Sequence, residues 1–574
     1  MKKKQHNKQK TKPQFLLFLA RLIVILIAVI LGRLCFPKPS LSFTAFIFMV
    51  PFFIVLFSLE RLREGFFWGF VFGFGFYYSN VFWLNTLTVY NSFIPLGIVL
   101  LGAYLGLYAA VFGWASMIFM RKFPRAYAFF LPALWVCLEY PRNWGQLAFP
   151  WSYLSASQWN NIRLIQIADI TGTWGISFFI VLVNLSIAVF LKDFITWDIR
   201  SEKRKFPYLL FQKQEIKKIV KKHSILIVIV LCLFFLILVY GFVKSRPGEY
   251  KGASINVAIV QPNIPQPLKF ASYAGSNAER QQIPAIIESM NFEVLGELKN
   301  GAQHLVILPE SAFTRPYFKY QKNLLNKLGN EAKRLSAGIL VGANREIFLD
   351  KNGNQTTDRT KIVRTNAYNS AWYFVPNGIL HPTPYDKIQL VPFGENLPYF
   401  DMIPGLQKML ALTGSFLKGE HHWLFPVPYK NPDTGESSLF FFGTVICFES
   451  SFSWIFRTCA IHGADFMTII TNDAWYEDSA GAYQHFSLAI FRAIETRQWI
   501  VRCSNRGISC VISPKGRVVR ASKLNEKTIV YAKIFPKKMK TVYQLSGDLF
   551  VKLLFASLAV GILLIFKNKL LRKK

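Results

Sequence analysis

Over its first 243 residues and again near its end, the chain's apolar positions neither alternate nor recur at helical spacing; they run on without interruption. Eight such runs lie near 15–32, 41–58, 66–86, 92–120, 126–140, 174–191, 224–243 and 549–566. They approach or exceed the ~17–25 residues a helix needs to cross the hydrocarbon core of a bilayer. A helix that is apolar all round has no water-facing side, so the pattern predicts a multi-span α-helical membrane bundle of about eight transmembrane helices. The run at 126–140 is short and holds Glu139, and Arg21 inside the first run must snorkel or face the bundle. The first run is long, lacks a small-residue cleavage site and is followed by further spans, which excludes a cleavable signal.

Between 244 and 548 the texture changes. Ile255–Gln261, His304–Pro309, Gly338–Asn344, Ser438–Glu449 and Phe466–Thr471 read as short buried strands, while 279–300, 320–336 and 482–497 carry the spacing of amphipathic helices. An α/β domain with a largely buried sheet follows. The expected organisation is a seven-span membrane domain over 1–243, a soluble domain over 244–548, and a last span with a basic tail over 549–574. The segments 350–363, 396–424 and 428–437 are long and polar or Gly/Pro-punctuated. Residues 396–423 also include Tyr399, Phe400, Leu406, Phe416 and Trp423, more apolar surface than a loop needs, and are expected to form a mobile arm over a site.

Composition supports the membrane reading: the 574 residues are 52% hydrophobic and 16% aromatic, more apolar than a soluble chain of this length. The net charge of +35 taken alone would suggest nucleic acid, but its distribution speaks against that partner. Lys and Arg number six in 1–14, two in 59–65, three in 121–125, ten in 192–223 and five after 566. The alternate short loops hold only Arg33, Lys38, Arg142 and Arg163. This positive-inside pattern predicts that both termini are cytoplasmic and that 244–548 lies outside, where cytosolic ATP and coenzyme A are absent. The seven cysteines are odd in number and include no CxxC, so no disulfide or zinc framework follows. The pair His421-His422 lacks further ligands at metal spacing, and no metal is expected.

Three predicted strand ends each deliver one reactive residue. LVILPE places Glu310, YDKIQLVPFGE supplies Lys387 and then Glu395, and FFFGTVICFES places Cys447 followed by Phe448 and Glu449. A thiol with its free pKa of ~8.5 is mostly protonated at neutral pH and needs a base or a positive neighbour to act as a nucleophile. Glu310 can take that proton. Lys387 can favour the thiolate and later an oxyanion, with the backbone N–H of Phe448 as a second donor. Carboxylate, ammonium and thiol converging on one carbonyl suit acyl transfer better than redox or phosphoryl chemistry. Each residue also has an ordinary reading: Cys447 as a packed core thiol, Glu310 and Lys387 as a plain ion pair.

The order PES, YDKIQLVPFGE, CFES resembles the Glu, Lys and Cys motifs of the nitrilase (carbon-nitrogen hydrolase) superfamily. With eight spans, and with VPFGE in place of a soluble-branch motif, the chain resembles the membrane branch of that superfamily, the apolipoprotein N-acyltransferases. FPWSYLSASQ with LIQIADITGTWGISF, VAIVQPNIPQPLKF, TNDAWYEDSAGAYQHFSLAIFRAIE and TVYQLSGD extend the likeness over nearly the whole chain. The resemblance implies an extracytoplasmic αββα sandwich, with Glu310 as general base, Lys387 as oxyanion-stabilising lysine and Cys447 as nucleophile. It implies accessory roles for Glu395 and Glu449, and fold-supporting roles for Asn472, Asp473, Trp475, Arg492 and Glu495. Two positions depart from the pattern: Phe448 stands where a Tyr often follows the Cys, and Phe270 where a Trp is common. Both keep a ring and so bear on substrate detail more than on chemistry.

The activity implied is a two-step acyl transfer in a bacterial inner membrane. The donor is a membrane phospholipid, with phosphatidylethanolamine foremost. The acceptor is the N-terminal amine of an S-diacylglyceryl-cysteine on an apolipoprotein. A monomer without cofactor or nucleic-acid partner is expected. Two rivals share the motifs: a membrane-tethered amidase in which water resolves the thioester, and a non-catalytic scaffold that kept the fold.

Overall fold

The computed structural model describes residues 2–196, 208–209, 213–351, 364–399, 416–431 and 434–571. The chain forms two compact units. One comprises Met1–Pro141, Ser152–Ser245 and Asp548–Lys574; the other comprises Arg246–Gly547 together with the short stretch Arg142–Trp151.

The first unit is helical at all eight apolar runs. Five helices among the described residues are long and apolar enough to cross a membrane: Gln14–Leu34, Ile94–Lys122, Trp174–Lys192, Ile219–Lys244 and Leu549–Lys567. The other three runs fall short for visible reasons. The run at 41–58 breaks into a 3-10 turn, Ser42–Phe46, and a helix, Met49–Phe57. The helix Tyr127–Glu139 has 13 residues with Pro132 inside it. The helix Leu62–Val81 is diluted in hydropathy by Gly65, Gly69 and Gly73, and these have a packing role. A Cβ on Gly69 would stand 2.4 Å from the Ala109 carbonyl oxygen, and one on Gly113 would stand 2.2 Å from that of Gly65. Small residues therefore bring two backbones together, which is how helices associate where burial from water gives no driving force.

Several polar side chains inside this unit find partners within it. Asn184 donates to the Ala45 carbonyl at 2.7 Å and accepts from the Met49 N–H at 2.8 Å, which supplies one orphan donor of the short helix. Glu139 accepts from the Leu154 N–H at 3.0 Å, and Arg21 donates to the Ser58 carbonyl at 2.9 Å.

Among the described residues of the second unit twelve strands can be numbered in chain order: β1 Ile255–Gln261, β2 Leu305–Ile307, β3 Gly338–Leu349, β4 Arg364–Phe374, β5 Tyr385–Asp386, β6 Leu424–Lys430, β7 Ser437–Ile446, β8 Phe466–Thr471, β9 Trp499–Ser504, β10 Cys510–Ile512, β11 Val518–Ala521 and β12 Thr528–Ile534. They form two six-stranded sheets, ordered β12-β1-β2-β3-β4-β5 and β11-β10-β9-β8-β7-β6. Each has three parallel strands at its centre, β1–β3 in one and β7–β9 in the other, flanked by antiparallel ones.

The two sheets face each other across one core. Ile255, Val257, Ile259, Leu305 and Ile307 meet Phe442, Ile446, Phe466, Ile470 and Val501 there. The alternate residues Ala258, Val260, Val306, Ile339 and Val341 point the other way, onto Val294, Leu295, Leu324 and Leu328 of the helices Asn277–Gly296 and Lys322–Leu335. The helices Ser453–Ile461 and Ala480–Thr496 pack on the second sheet. Central strands buried on both faces explain why the sequence shows continuous apolar runs there. The architecture is the expected αββα sandwich.

Candidate active site

Chain direction brings the reactive residues to one edge. Glu310 follows β2, Cys447 follows β7 and Asn472 follows β8, all at carboxyl ends of parallel strands, where α/β proteins place their sites. Lys387 follows β5. The turn carrying Glu310 lies against β3 so closely that a Cβ on Gly342 would stand 2.7 Å from the Glu310 Cα, so glycine is required for that approach.

The predicted residues meet. Lys387 Nζ, fully buried, donates to Glu395 Oε1 at 2.8 Å and lies 3.8 Å from Glu310 Oε1. Burial alone would lower the lysine's pKa, but Glu395 and Glu310 more than offset it and hold the ammonium above the usual lysine range. Glu310 accepts at Oε2 from the Asn472 N–H at 2.9 Å and at Oε1 from Asn369 Nδ2 at 2.7 Å. Cys447 opens a 3-10 turn with a left-handed backbone, φ +53°, an uncommon conformation for a residue with a side chain. Its thiol is pushed up by burial first and by the Glu310 charge second, while the Lys387 ammonium acts the other way. A thiol pushed up in this way needs a base to take its proton before it can react.

The two accessory carboxylates act differently. Glu395 holds the ammonium directly, and its second oxygen accepts from the Val391 N–H at 2.9 Å. Glu449 reaches the lysine only through the backbone. It accepts from the N–H groups of Ile388 at 2.6 Å, Gln389 at 3.0 Å and Ile446 at 2.7 Å, and from the Tyr385 hydroxyl. One buried side chain thereby ties the strand end bearing Lys387 to the turn bearing Cys447. Burial raises its carboxyl to about 7. Phe448 is buried with its ring 5.2 Å from that of Phe452. Phe270 lies on the helix Gln266–Ala274, edge-on to Tyr273.

Several contributors were not singled out from the sequence. Asn369 on β4 also donates to Glu395 Oε1, at 3.2 Å, and so bridges the two carboxylates around the ammonium. Lys269, buried beneath the site, donates from Nζ to the Glu310 carbonyl at 3.2 Å, and burial lowers its pKa to about 7. Behind the thiol, His485 lies between Asp473 (Nδ1 to Oδ1, 2.8 Å) and the Cys447 carbonyl (Nε2 to O, 3.1 Å). Arg502 donates to Asp473 at 2.7 Å, and with His485 holds that carboxyl below the usual range despite burial. The stretch Arg142–Trp151 adds aromatic walls. Phe149 faces Phe448 at 6.2 Å, Trp144 stacks on Trp454 at 6.1 Å, and Trp151 donates to Gln484 at 2.7 Å with its ring beside His485. Its last three residues, FPW, open the segment FPWSYLSASQ that carries part of the family resemblance, but nothing in the sequence marked Trp144 or the placement of these rings beside the site. Arg492 bonds the Ser451 carbonyl and Glu495, which supports the fold. Most of the expected arm, residues 400–415, lies outside the described residues.

A Glu, a Lys and a Cys at strand ends of a two-sheet α/β sandwich define a carbon-nitrogen hydrolase, and that family's profile matches residues 256–544. Among solved structures, Nit3 of Saccharomyces cerevisiae, a member of branch 10 of the nitrilase superfamily, is 18% identical with a TM-score of 0.31, covering 52% of this chain and 96% of that one. The remaining sequence narrows the class, because residues 28–186 match the apolipoprotein N-acyltransferase N-terminal domain. The apolipoprotein N-acyltransferase of Geobacter metallireducens is 30% identical over 96% of this chain and 95% of its own length. Apolipoprotein N-acyltransferase 1 of Treponema denticola is 28% identical over 98% and 99%. The chain belongs to the apolipoprotein N-acyltransferase family, and is a multi-pass membrane protein.

Proposed function

We propose that the chain transfers a fatty acyl group from a phospholipid, through a thioester on Cys447, to the N-terminal amine of an S-diacylglyceryl-cysteine on apolipoproteins. The observation that carries this reading is the family match over both the membrane half and the sandwich, in a chain that keeps Glu310, Lys387 and Cys447 within one buried cluster.

In the first half-reaction Glu310 takes the thiol proton and the sulfur attacks the sn-1 ester carbonyl of the phospholipid. Lys387 and the Phe448 N–H stabilise the oxyanion. Collapse expels the glycerol oxygen, which takes the proton back from Glu310, and the lysophospholipid leaves. In the second, Glu310 takes a proton from the attacking α-amine, the tetrahedral intermediate collapses to the amide as the carbon–sulfur bond breaks, and the departing Cys447 sulfur takes that proton from Glu310 to restore the thiol. Phosphatidylethanolamine is the donor favoured by the family resemblance. The distribution of Lys and Arg supports cytoplasmic termini and a sandwich on the outer face, with seven spans before it and one after. There the lipid donor is at hand and no cytosolic donor is needed.

The test follows acyl label from phosphatidylethanolamine in purified full-length protein. Label should appear on the enzyme as a hydroxylamine-labile thioester, be absent in Cys447→Ala, and move to the amine of a diacylglyceryl peptide. Label released only as free fatty acid, with or without the peptide, would instead mean that water resolves the thioester and that the chain is a hydrolase.

A further inference from the structure

One surface strip of the sandwich unit takes no part in the site. Between β12 and the apolar helix Leu549–Lys567, residues 535–546 include Lys537, Lys538 and Lys540 and no acidic residue. The three lysines are exposed, and so are Met539, Val542 and Leu545, at 45%, 52% and 69%. Lysines interleaved with bare apolar side chains suit neither a core nor a surface meant for water. They are the composition of segments that lie in a membrane interface.

The strip is held firmly from beneath. The Phe535 carbonyl accepts from Trp499 Nε1 at 2.9 Å, and the Phe535 ring stacks on Tyr250 at 6.2 Å. Thr541 caps the short helix Val542–Ser546 and donates to the Glu495 carbonyl at 2.7 Å, while Gln544 donates to that of Thr496 at 2.8 Å. Tyr543 and Gln544 are buried, which leaves Val542 and Leu545, three residues apart, on the open side of that helix. Lys538 approaches Asp465 only to 3.9 Å, and Lys537 and Lys540 have no acidic partner among the described residues.

We propose that residues 535–546 form a seat on the lipid surface, where Lys537, Lys538 and Lys540 bind the phosphates of anionic phospholipids and Met539, Val542 and Leu545 enter the headgroup boundary. Position argues for a bilayer as the partner. Leu545 stands four residues before the start of the span at Leu549, at most ~14 Å of extended chain, so it stays at the membrane surface. Charge argues for the class of lipid. Each uncompensated lysine close to a bilayer favours headgroups of net negative charge by about fivefold in binding. On the topology proposed above the strip lies outside the cytoplasm, where lysines beside a span run against the usual bias, and a local role accounts for them there. The lipid beside the sandwich is then richer in anionic phospholipid than the membrane as a whole. The inference needs only the span at Leu549–Lys567, and acyl transfer could fail without touching it.

The experiment places a fluorophore on the strip of the full-length protein, at Leu545→Cys. Cys232→Ser is the background, since the other cysteines are buried. The protein is reconstituted in phosphatidylcholine vesicles carrying doxyl-labelled phosphatidylglycerol or doxyl-labelled phosphatidylcholine as quencher. Both lipids should quench the fluorophore and aqueous iodide should not, with phosphatidylglycerol effective at roughly fivefold lower mole fraction at low ionic strength. Lys537→Gln, Lys538→Gln and Lys540→Gln together should make the two lipids equal while the fluorophore stays shielded from iodide. Should that variant not fold, high salt on the parent gives the same comparison, because it screens the lysines and leaves the apolar contacts. A fluorophore reached by iodide, as on a surface reserved for a soluble partner or a second copy, would overturn the proposal. So would equal quenching of the parent by the two lipids at low salt.

Discussion

Lys269 is a cation placed where a cation is costly. Its side chain is only 1% exposed and its ammonium donates to a carbonyl, that of Glu310, rather than to a carboxylate. Burial takes its pKa from 10.5 to about 7, against an opposing pull from Glu310. In the unfolded chain the group keeps its ordinary value, so between pH 7 and 10.5 the unfolded state binds more protons than the folded one, and stability rises with pH. Below pH 7 both states are protonated and the full cost of burying the charge is present. The slope can reach ~1.4 kcal/mol per pH unit, and integrating from pH 7 to 8.5 with the folded transition near 7 gives about 1.5 kcal/mol. For a unit of this size that corresponds to roughly 3 °C in melting temperature. Lys269→Met keeps the buried stem and removes the titration. The parent's melting temperature, followed by tryptophan fluorescence in detergent, should therefore gain about 3 °C on the variant between pH 7 and 8.5. Thiol titrations are shared by both proteins, and most of their effect comes at higher pH. A parent-minus-variant difference that stays flat across this window would show that Lys269 is not the buried cation described, or that water reaches it.

Two further outcomes test the site and the membrane arrangement. Asn369→Ala removes the donor shared by Glu310 and Glu395 and should slow acyl-enzyme formation from labelled phospholipid about ten- to a hundredfold, with Asn369→Asp worse because a third carboxylate joins two; a normal single-turnover rate would remove Asn369 from the site. A reporter active only outside the cytoplasm should work when fused after Lys251 and fail when fused within 200–220, whereas the same response from both fusions would break the span assignment and with it the compartment of the sandwich.

How far the sequence could be read depended on which physical signal each element carried. β1 and β8 were legible to the residue, because a strand buried on both faces shows as an unbroken apolar run bounded by polar or Pro residues. β4 was not, because Arg364–Phe374 shows neither an unbroken apolar run nor a period of two and carries Asn366 and Asn369, which look like loop residues until their partners are known. The glycine-rich helix Leu62–Val81 has the opposite problem. Its glycines lower the hydropathy by which spans are recognised, yet they are what lets it pack backbone to backbone against Gly106, Ala109 and Gly113. Length and apolarity alone therefore undercount helices in this unit.

The site divides in the same way. Glu310, Lys387 and Cys447 could be located because each closes a segment with its own pattern, and motif order did the rest. What holds them could not, because the holding groups act across the fold and leave no local mark. Glu449 looks from the sequence like a mere neighbour of Cys447, yet besides Ile446 it bonds Ile388 and Gln389, some sixty residues away in the chain. Asp473 and His485, twelve residues apart, gain meaning only when Arg502 and the Cys447 carbonyl close the network around them. Reactive groups are thus legible where chemistry needs a particular residue type at a strand end, while the residues that tune them become visible only once the two sheets are assembled.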